Sequence, residues 1–128
     1  MKLKDRVALV RDISLEGIVN ASDVVLVGGY STAVLEVSAL QKPVLILNVY
    51  NEVVHLPYAE MGIAAEVRNF GDLRMSVDEL LSDQSARDKM LCKSEAFYES
   101  NKEFSDGKAT ERLRDLILEL VEKHRGIK

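Results

Sequence analysis

One short segment carries the residue types that an anion-binding turn needs. Glycines allow a tight turn and a close approach to a ligand, and the first N–H groups of a helix lack partners within the helix. Such N–H groups and hydroxyls suit a diphosphate, and an acid one turn further suits the hydroxyls of a ribose. The pattern therefore predicts a nucleotide diphosphate site. Its candidate residues are Gly28, Gly29, Tyr30, Ser31, Thr32 and Glu36.

A plain structural explanation of the same residues stays open. Two glycines followed by Ser31 and Thr32 also suit a turn with a helix cap. Glu36, in the first turn of a helix, complements the helix dipole without touching any ligand. The segment has neither the GxGxxG pattern of dinucleotide-binding proteins nor the GK[ST] of phosphate loops. Dehydrogenase and P-loop ATPase functions are therefore not supported.

The hydrophobic pattern around this segment predicts an α/β fold. Unbroken apolar runs at 24–27 and 43–47, typical of buried parallel strands, alternate with helical patterns at 14–21 and 32–41. Weaker strand signals lie at Arg6–Val10 and 64–67. We expect a small, Rossmann-like parallel sheet of about four strands flanked by helices. The glycine segment then lies at the carboxyl end of a strand, where such sheets bind ligands.

The second half of the chain predicts helices. Ser76 and Glu79 have the spacing of a capping box, which indicates that a helix opens there. A longer helix is predicted at 85–100, and Asp106 is the expected N-cap of a final helix. The length of 128 residues suits a single domain.

Polar residues follow the strand 43–47 on the ligand side of the predicted sheet. His55 is also able to transfer a proton near neutral pH. As alternatives, His55 is a plain surface residue, and Asn48, Asn51 and Glu52 only cap the next turn. The catalytic residues stay unassigned. The candidate contacts for a donor sugar are Asn48, Asn51, Glu52 and His55.

The composition excludes several classes of protein. A net charge of −4 without a basic stripe or tryptophan does not fit a nucleic-acid-binding protein. Cys92 is the single cysteine and the two histidines are far apart, so the sequence indicates no disulfide framework, no zinc site and no other cofactor. No apolar run is long enough to cross a membrane, and we expect a reducing, cytoplasmic location.

A longer stretch resembles the nucleotide-binding, C-terminal half of GT-B glycosyltransferases. The stretch starts with Ala21-Ser22-Asp23 before an apolar strand, continues through Tyr30-Ser31-Thr32 to Glu36, and ends in a Lys42-Pro43 strand. The Tyr-Ser-Thr version is closest to CDP-glycerol glycerophosphotransferases, and Asp106–Arg112, which opens the final helix, is similar to the closing segment of the same proteins. The Gly-Gly-x-Ser version is similar to UDP-N-acetylglucosamine 2-epimerases, so both branches stay open.

The resemblance implies a function in the transfer of an activated sugar or polyol, as in the biosynthesis of cell-envelope polysaccharides. Ser31 and Thr32 would contact the diphosphate of a UDP- or CDP-linked donor, and Glu36 would contact its ribose. One departure is Gly28, which stands eight residues before Glu36, where retaining members often carry a second glutamate. The retaining two-glutamate scheme is therefore not supported.

The predicted strands are also too few for a whole GT-B half, and the acceptor domain of such proteins is missing. We therefore expect residues 1–128 to be a fragment or a truncated half that is not active alone. An open sheet edge would then associate with a missing N-terminal domain or with a second copy. A non-catalytic α/β interaction module is the remaining alternative.

Overall fold

The structure, a computed structural model, describes residues 6–50, 56–102 and 106–125. Contacts between residues divide the chain into two units, residues 1–95 and residues 96–128. The helices and strands of the described residues are α1 (Leu15–Asn20), β1 (Val25–Gly28), α2 (Ala33–Ala39), β2 (Val44–Leu47), β3 (Ala65–Val67), α3 (Phe70–Ser82), α4 (Gln84–Ser100) and α5 (Ala109–Arg125).

The strands form one parallel sheet in the order β1-β2-β3. Gly28 pairs with Leu47 across the first ladder, and Leu47 pairs with Val67 across the second. The three strands therefore end at the same edge of the sheet. The predicted α/β fold with a small parallel sheet flanked by helices is confirmed, with three strands in the described residues instead of about four.

The central strand β2 is buried on both faces. Leu45 is fully buried in a cluster with Val67, Leu80 and Met90, so α3 and α4 cover one face of the sheet. Val44 and Ile46 alternate with Leu45 along the strand and face the opposite side, where they are fully buried as well. Burial on both faces explains the unbroken apolar run that predicted this strand.

The predicted strand at Arg6–Val10 is wrong. Residues 7–10 have no strand structure, and the side chains of Val7 and Leu9 are 69% and 84% exposed. Strand propensity acts through packing and pairing with a neighbour, and in the described residues no strand lies beside this segment. β1 is consequently an edge strand of the described sheet, and its Leu26 is exposed.

Local hydrogen bonds set where the helices of the first unit begin. Ser14 is the N-cap of α1 and its hydroxyl oxygen accepts the N–H of Gly17 over 3.1 Å, which confirms the first predicted helix. The capping box predicted at 76–79 is wrong, because α3 begins six residues earlier, at Phe70. Its N-cap Asn69 accepts the Asp72 N–H and donates to the Asp72 carboxylate, which satisfies the first turn at that point.

The final helix α5 is confirmed, but the prediction that Asp106 is its N-cap is wrong. The helix begins at Ala109, and the Asp106 carboxylate accepts the N–H of Lys108 over 2.9 Å. Asp106 also accepts two hydrogen bonds from Arg112, at 2.8 and 2.9 Å. The Lys108 N–H and the Arg112 guanidinium together hold the pKa of Asp106 below its ordinary value. Asp106 therefore orders the entry to the helix from two residues further upstream.

Candidate functional site

The chain turns sharply where β1 ends, at the carboxyl edge of the sheet. Gly29 has a φ of 67°, and its N–H donates to the Leu47 carbonyl of the neighbouring strand over 3.0 Å. On the next strand, the N–H of Asn48 donates to the Val67 carbonyl over 2.8 Å. The first bond holds the residues after β1 beside the end of β2, and the second holds Asn48 beside the end of β3. The left-handed conformation of Gly29 explains why glycine stands there.

A carboxylate at this edge interacts with residues that follow each of the three strands. Glu66 of β3 has a side chain only 11% exposed, and its Oε1 accepts the Asn48 amide over 2.9 Å. Arg68 donates from Nε to Oε1 over 3.1 Å and from Nη2 to Oε2 over 3.3 Å. The Tyr30 phenol, which follows β1, interacts with the same carboxylate. We call Tyr30, Asn48, Glu66 and Arg68 the edge cluster.

The electrostatics of the edge cluster keep Glu66 ionised. Burial acts to raise the pKa of Glu66, but the hydrogen bonds from Asn48, Arg68 and Tyr30 outweigh it, and the pKa lies below its ordinary value. Burial, and then the hydrogen bond to Glu66, raise the pKa of Tyr30. Tyr30 therefore stays a neutral donor beside a fixed negative charge and the Arg68 cation.

A small cleft adjoins the edge cluster. Its volume is about 80 Å³, and it is lined by Tyr30, Ser31, Thr32, Leu56 and Tyr58. The rings of Tyr30 and Tyr58 stack with their centroids 6.3 Å apart. Pockets that enclose a whole small-molecule ligand measure about 300–1,000 Å³. The cleft is therefore the size of one part of a ligand, such as a phosphate group, and not of a complete nucleotide.

The two hydroxyl residues of the glycine segment lie at this cleft. Ser31 is partly buried, and its hydroxyl oxygen accepts the N–H of Ala33 over 3.2 Å. Its proton therefore remains available to an external acceptor. Thr32 is exposed at the N-cap position of α2, and its side chain forms no cap hydrogen bond. Tyr30, Ser31 and Thr32 therefore line one cleft, and their contact with a nucleotide stays a prediction.

The remaining predicted residues lie in different surroundings. Gly28 ends β1 and is exposed, and Glu36 is exposed one turn into α2. Asn48 is only 2% exposed, and its amide donates to Glu66 instead of facing solvent. The other three candidates for contacts with a donor sugar lie outside the described residues: Asn51, Glu52 and His55.

Three residues of the site are not predicted from the sequence, namely Tyr58, Glu66 and Arg68. Tyr58 is buried against Tyr30, and burial raises its pKa. Glu66 and Arg68 have a detectable signal, since charged residues two positions apart at the end of an apolar strand share one face.

Within residues 6–50, 56–102 and 106–125, no three His, Cys, Asp or Glu side chains are grouped so that they could hold a metal ion. The single cysteine, Cys92, is exposed.

None of the helices in the described part of the chain combines the length and apolar character that a membrane crossing requires.

Comparison with known proteins identifies one family over most of the chain. The family described as CDP-Glycerol:Poly(glycerophosphate) glycerophosphotransferase matches residues 1–119 of the 128. No curated protein and no solved structure gives a significant match. The match includes the glycine segment, the whole parallel sheet and the residues before α5. It confirms the resemblance to the CDP-glycerol branch. The chain therefore belongs to the CDP-glycerol:poly(glycerophosphate) glycerophosphotransferase family.

Proposed function

We propose that this chain binds the nucleotide diphosphate part of CDP-glycerol, or of a closely related nucleotide-activated polyol or sugar. The observation that carries the proposal is the cleft lined by Tyr30, Ser31 and Thr32 at the carboxyl edge of a parallel sheet. Open α/β sheets bind their ligands at this edge. The name of the family supports cytidine as the base and glycerol as the activated group.

Each residue of the glycine segment has a role in this proposal. The turn at Gly29 brings the backbone close to the phosphates, and the hydroxyl protons of Ser31 and Thr32 donate to phosphate oxygens. Ser31 is well placed for this role because the Ala33 N–H already occupies its oxygen as a donor and orients the hydroxyl. The exposed carboxylate of Glu36 accepts from the ribose hydroxyls.

The proposed chemistry depends on hydrogen-bond donors of the protein more than on a nucleophile from the protein. When glycerol phosphate passes from CDP-glycerol to a hydroxyl acceptor, a new P–O bond forms to the acceptor. The bond to the cytidine-bearing phosphate breaks, CMP leaves, and the acceptor proton passes to a base. Negative charge builds on the leaving phosphate oxygen, and fixed N–H and O–H donors stabilise that charge. The base and the acceptor site are not assigned to residues of this chain.

The proposal also places the chain as the C-terminal, nucleotide-binding half of a GT-B protein. In this arrangement a second domain or a second copy supplies the acceptor side. β1 supports the idea, because it lies at the edge of the described sheet with Leu26 exposed. The same proposal places the protein in the cytoplasm and in the synthesis of a cell-envelope polymer.

An amide NMR titration of the full chain tests the proposal, with CDP-glycerol, CDP, UDP and ADP as ligands. We expect shifts concentrated on Gly28–Glu36, larger with the two cytidine ligands than with UDP or ADP. A stronger response to UDP would favour the UDP-sugar epimerase branch instead. No shift with any of the four ligands would overturn the proposal and leave the fold as an interaction module.

Matched variants make the test specific to the segment. Ser31→Ala should weaken CDP binding, because a phosphate oxygen loses a donor. Ser82→Ala changes an exposed serine of α3 in the same way and should leave CDP binding unchanged. Glu36→Gln is compared with Glu79→Gln, an exposed acid of α3, in the same titration. Equal affinities within both pairs would contradict the proposed roles.

A further inference from the structure

We propose that Arg68 binds the diphosphate of the donor and that Glu66 is the residue that positions it. This inference rests on the proposed function, and it adds a cation to a site whose sequence-predicted residues supply only neutral donors and one acid. Arg68 directly follows β3 and therefore lies at the same edge of the sheet as the glycine segment.

Two hydrogen bonds to Glu66 orient the guanidinium of Arg68. Arg68 folds back so that Nε and Nη2 donate to the two oxygens of Glu66, at 3.1 and 3.3 Å. An arginine side chain has five N–H groups, and this pair of bonds uses two of them. Among the described residues the Tyr30 phenol also interacts with this guanidinium, which leaves at least two N–H groups for an external anion, and the Arg68 side chain is 61% exposed.

Glu66, the partner of Arg68, is itself fixed. Its side chain is 11% exposed and also accepts the amide of the buried Asn48 over 2.9 Å. A simple surface ion pair joins two mobile side chains and contributes little to stability, typically about 0–1 kcal/mol. Here one partner is anchored in the sheet, so the guanidinium is held in place before any ligand arrives. Such preorganisation lowers the entropy lost on binding.

Tyr30 belongs to the surroundings of Arg68 and also to the cleft. The Tyr30 phenol interacts with both Glu66 and Arg68, and Tyr30 lines the cleft together with Ser31 and Thr32. Tyr30 is therefore shared by the edge cluster and by the cleft whose hydroxyls are proposed to hold phosphate oxygens. Guanidinium groups bind phosphates through parallel N–H bonds, which suits the two phosphates of a nucleoside diphosphate.

The test compares the affinities of the full chain for CDP, inorganic pyrophosphate and cytidine. We expect Arg68→Gln to weaken the binding of CDP and of pyrophosphate by about ten- to hundredfold, the range that hydrogen bonds to charged groups supply. Affinity for cytidine should not change, because cytidine carries no phosphate. Arg68→Lys should lose part of the affinity, since it keeps the charge but not the paired donors. Arg74→Gln removes the same charge from an exposed position on α3 and is the matched control.

Glu66→Gln tests the positioning role. It should weaken the binding of CDP relative to the binding of cytidine. A general loss of stability would not change the ratio of these two affinities. Thermal unfolding of each variant checks the fold. If Arg68→Gln binds CDP as tightly as the wild type and Arg74→Gln, this inference is overturned and the proposed function is not. If the wild-type chain binds neither CDP nor pyrophosphate, both are overturned.

Discussion

The side-chain amide of Asn48 donates to Glu66 Oε1 over 2.9 Å and joins the carboxyl ends of β2 and β3. The backbone N–H of Asn48 donates to the Val67 carbonyl over 2.8 Å, so this residue ties the two strands together twice. Asn48 is 2% exposed, and a buried amide needs such a partner to offset the loss of its water contacts. The bond therefore fixes the orientation of Glu66, on which the rest of the edge cluster depends.

The two glycines of the turn should respond differently to substitution. Gly29 has a φ of 67°, so Gly29→Ala should lower the free energy of unfolding by about 1–2 kcal/mol. A Cβ at Gly28 would meet no atom within 4 Å, and Gly28→Ala should change the free energy of unfolding by about 0.5 kcal/mol or less. Urea unfolding of the two variants measures this difference. Equal losses would show that the turn does not depend on the conformation of Gly29.

The core of the sheet should respond to truncation at β2 far more than at β1. Leu45 is fully buried in the cluster with Leu80 and Met90, and Leu45→Ala should lower the free energy of unfolding by about 2–5 kcal/mol. Leu26 of β1 is 46% exposed, and Leu26→Ala should cost about 1 kcal/mol or less. Urea unfolding again gives both values. A large loss for Leu26→Ala would show that β1 is covered in solution.

The central strands could be predicted because their information is local. Pro43 starts the run Val44–Leu47, and burial on both faces requires the unbroken apolar pattern that the sequence shows. The segment Arg6–Val10 has a similar β-rich composition, yet it forms no strand. A strand needs a neighbour for its backbone groups, and composition alone does not reveal whether that neighbour exists.

The candidate site, that is the edge cluster with its adjoining cleft, could be predicted only in part, for a related reason. The turn after β1 follows from residues that are contiguous in sequence, so the grouping of Tyr30, Ser31 and Thr32 could be foreseen. The contact between Asn48 and Glu66 depends on the register of β2 against β3, which pairs Ile46 with Glu66. Register is a long-range property, and nothing in a short stretch of sequence specifies it.

The pH dependence of stability should reveal the charge of Glu66. Its pKa in the folded chain lies below the ordinary value of 4.5, because Asn48, Arg68 and Tyr30 outweigh the effect of burial. A carboxyl with a lowered pKa in the folded state stabilises the fold above the ordinary pKa. That contribution is lost as the pH falls from the ordinary value through the lowered one. We expect the free energy of unfolding to fall over this acidic window.

Two variants separate Glu66 from the other acids of the chain. Glu66→Gln keeps an oxygen for the Asn48 amide but has no proton to gain, so its stability should fall less steeply than that of the wild type in the acidic window. Glu79→Gln removes an exposed charge of α3 and should follow the wild-type slope. Urea unfolding between about pH 6 and about pH 3 provides these slopes. Parallel curves for the wild type and Glu66→Gln would mean that the folded and unfolded chains hold the Glu66 proton equally, which would contradict the hydrogen bonding of the edge cluster.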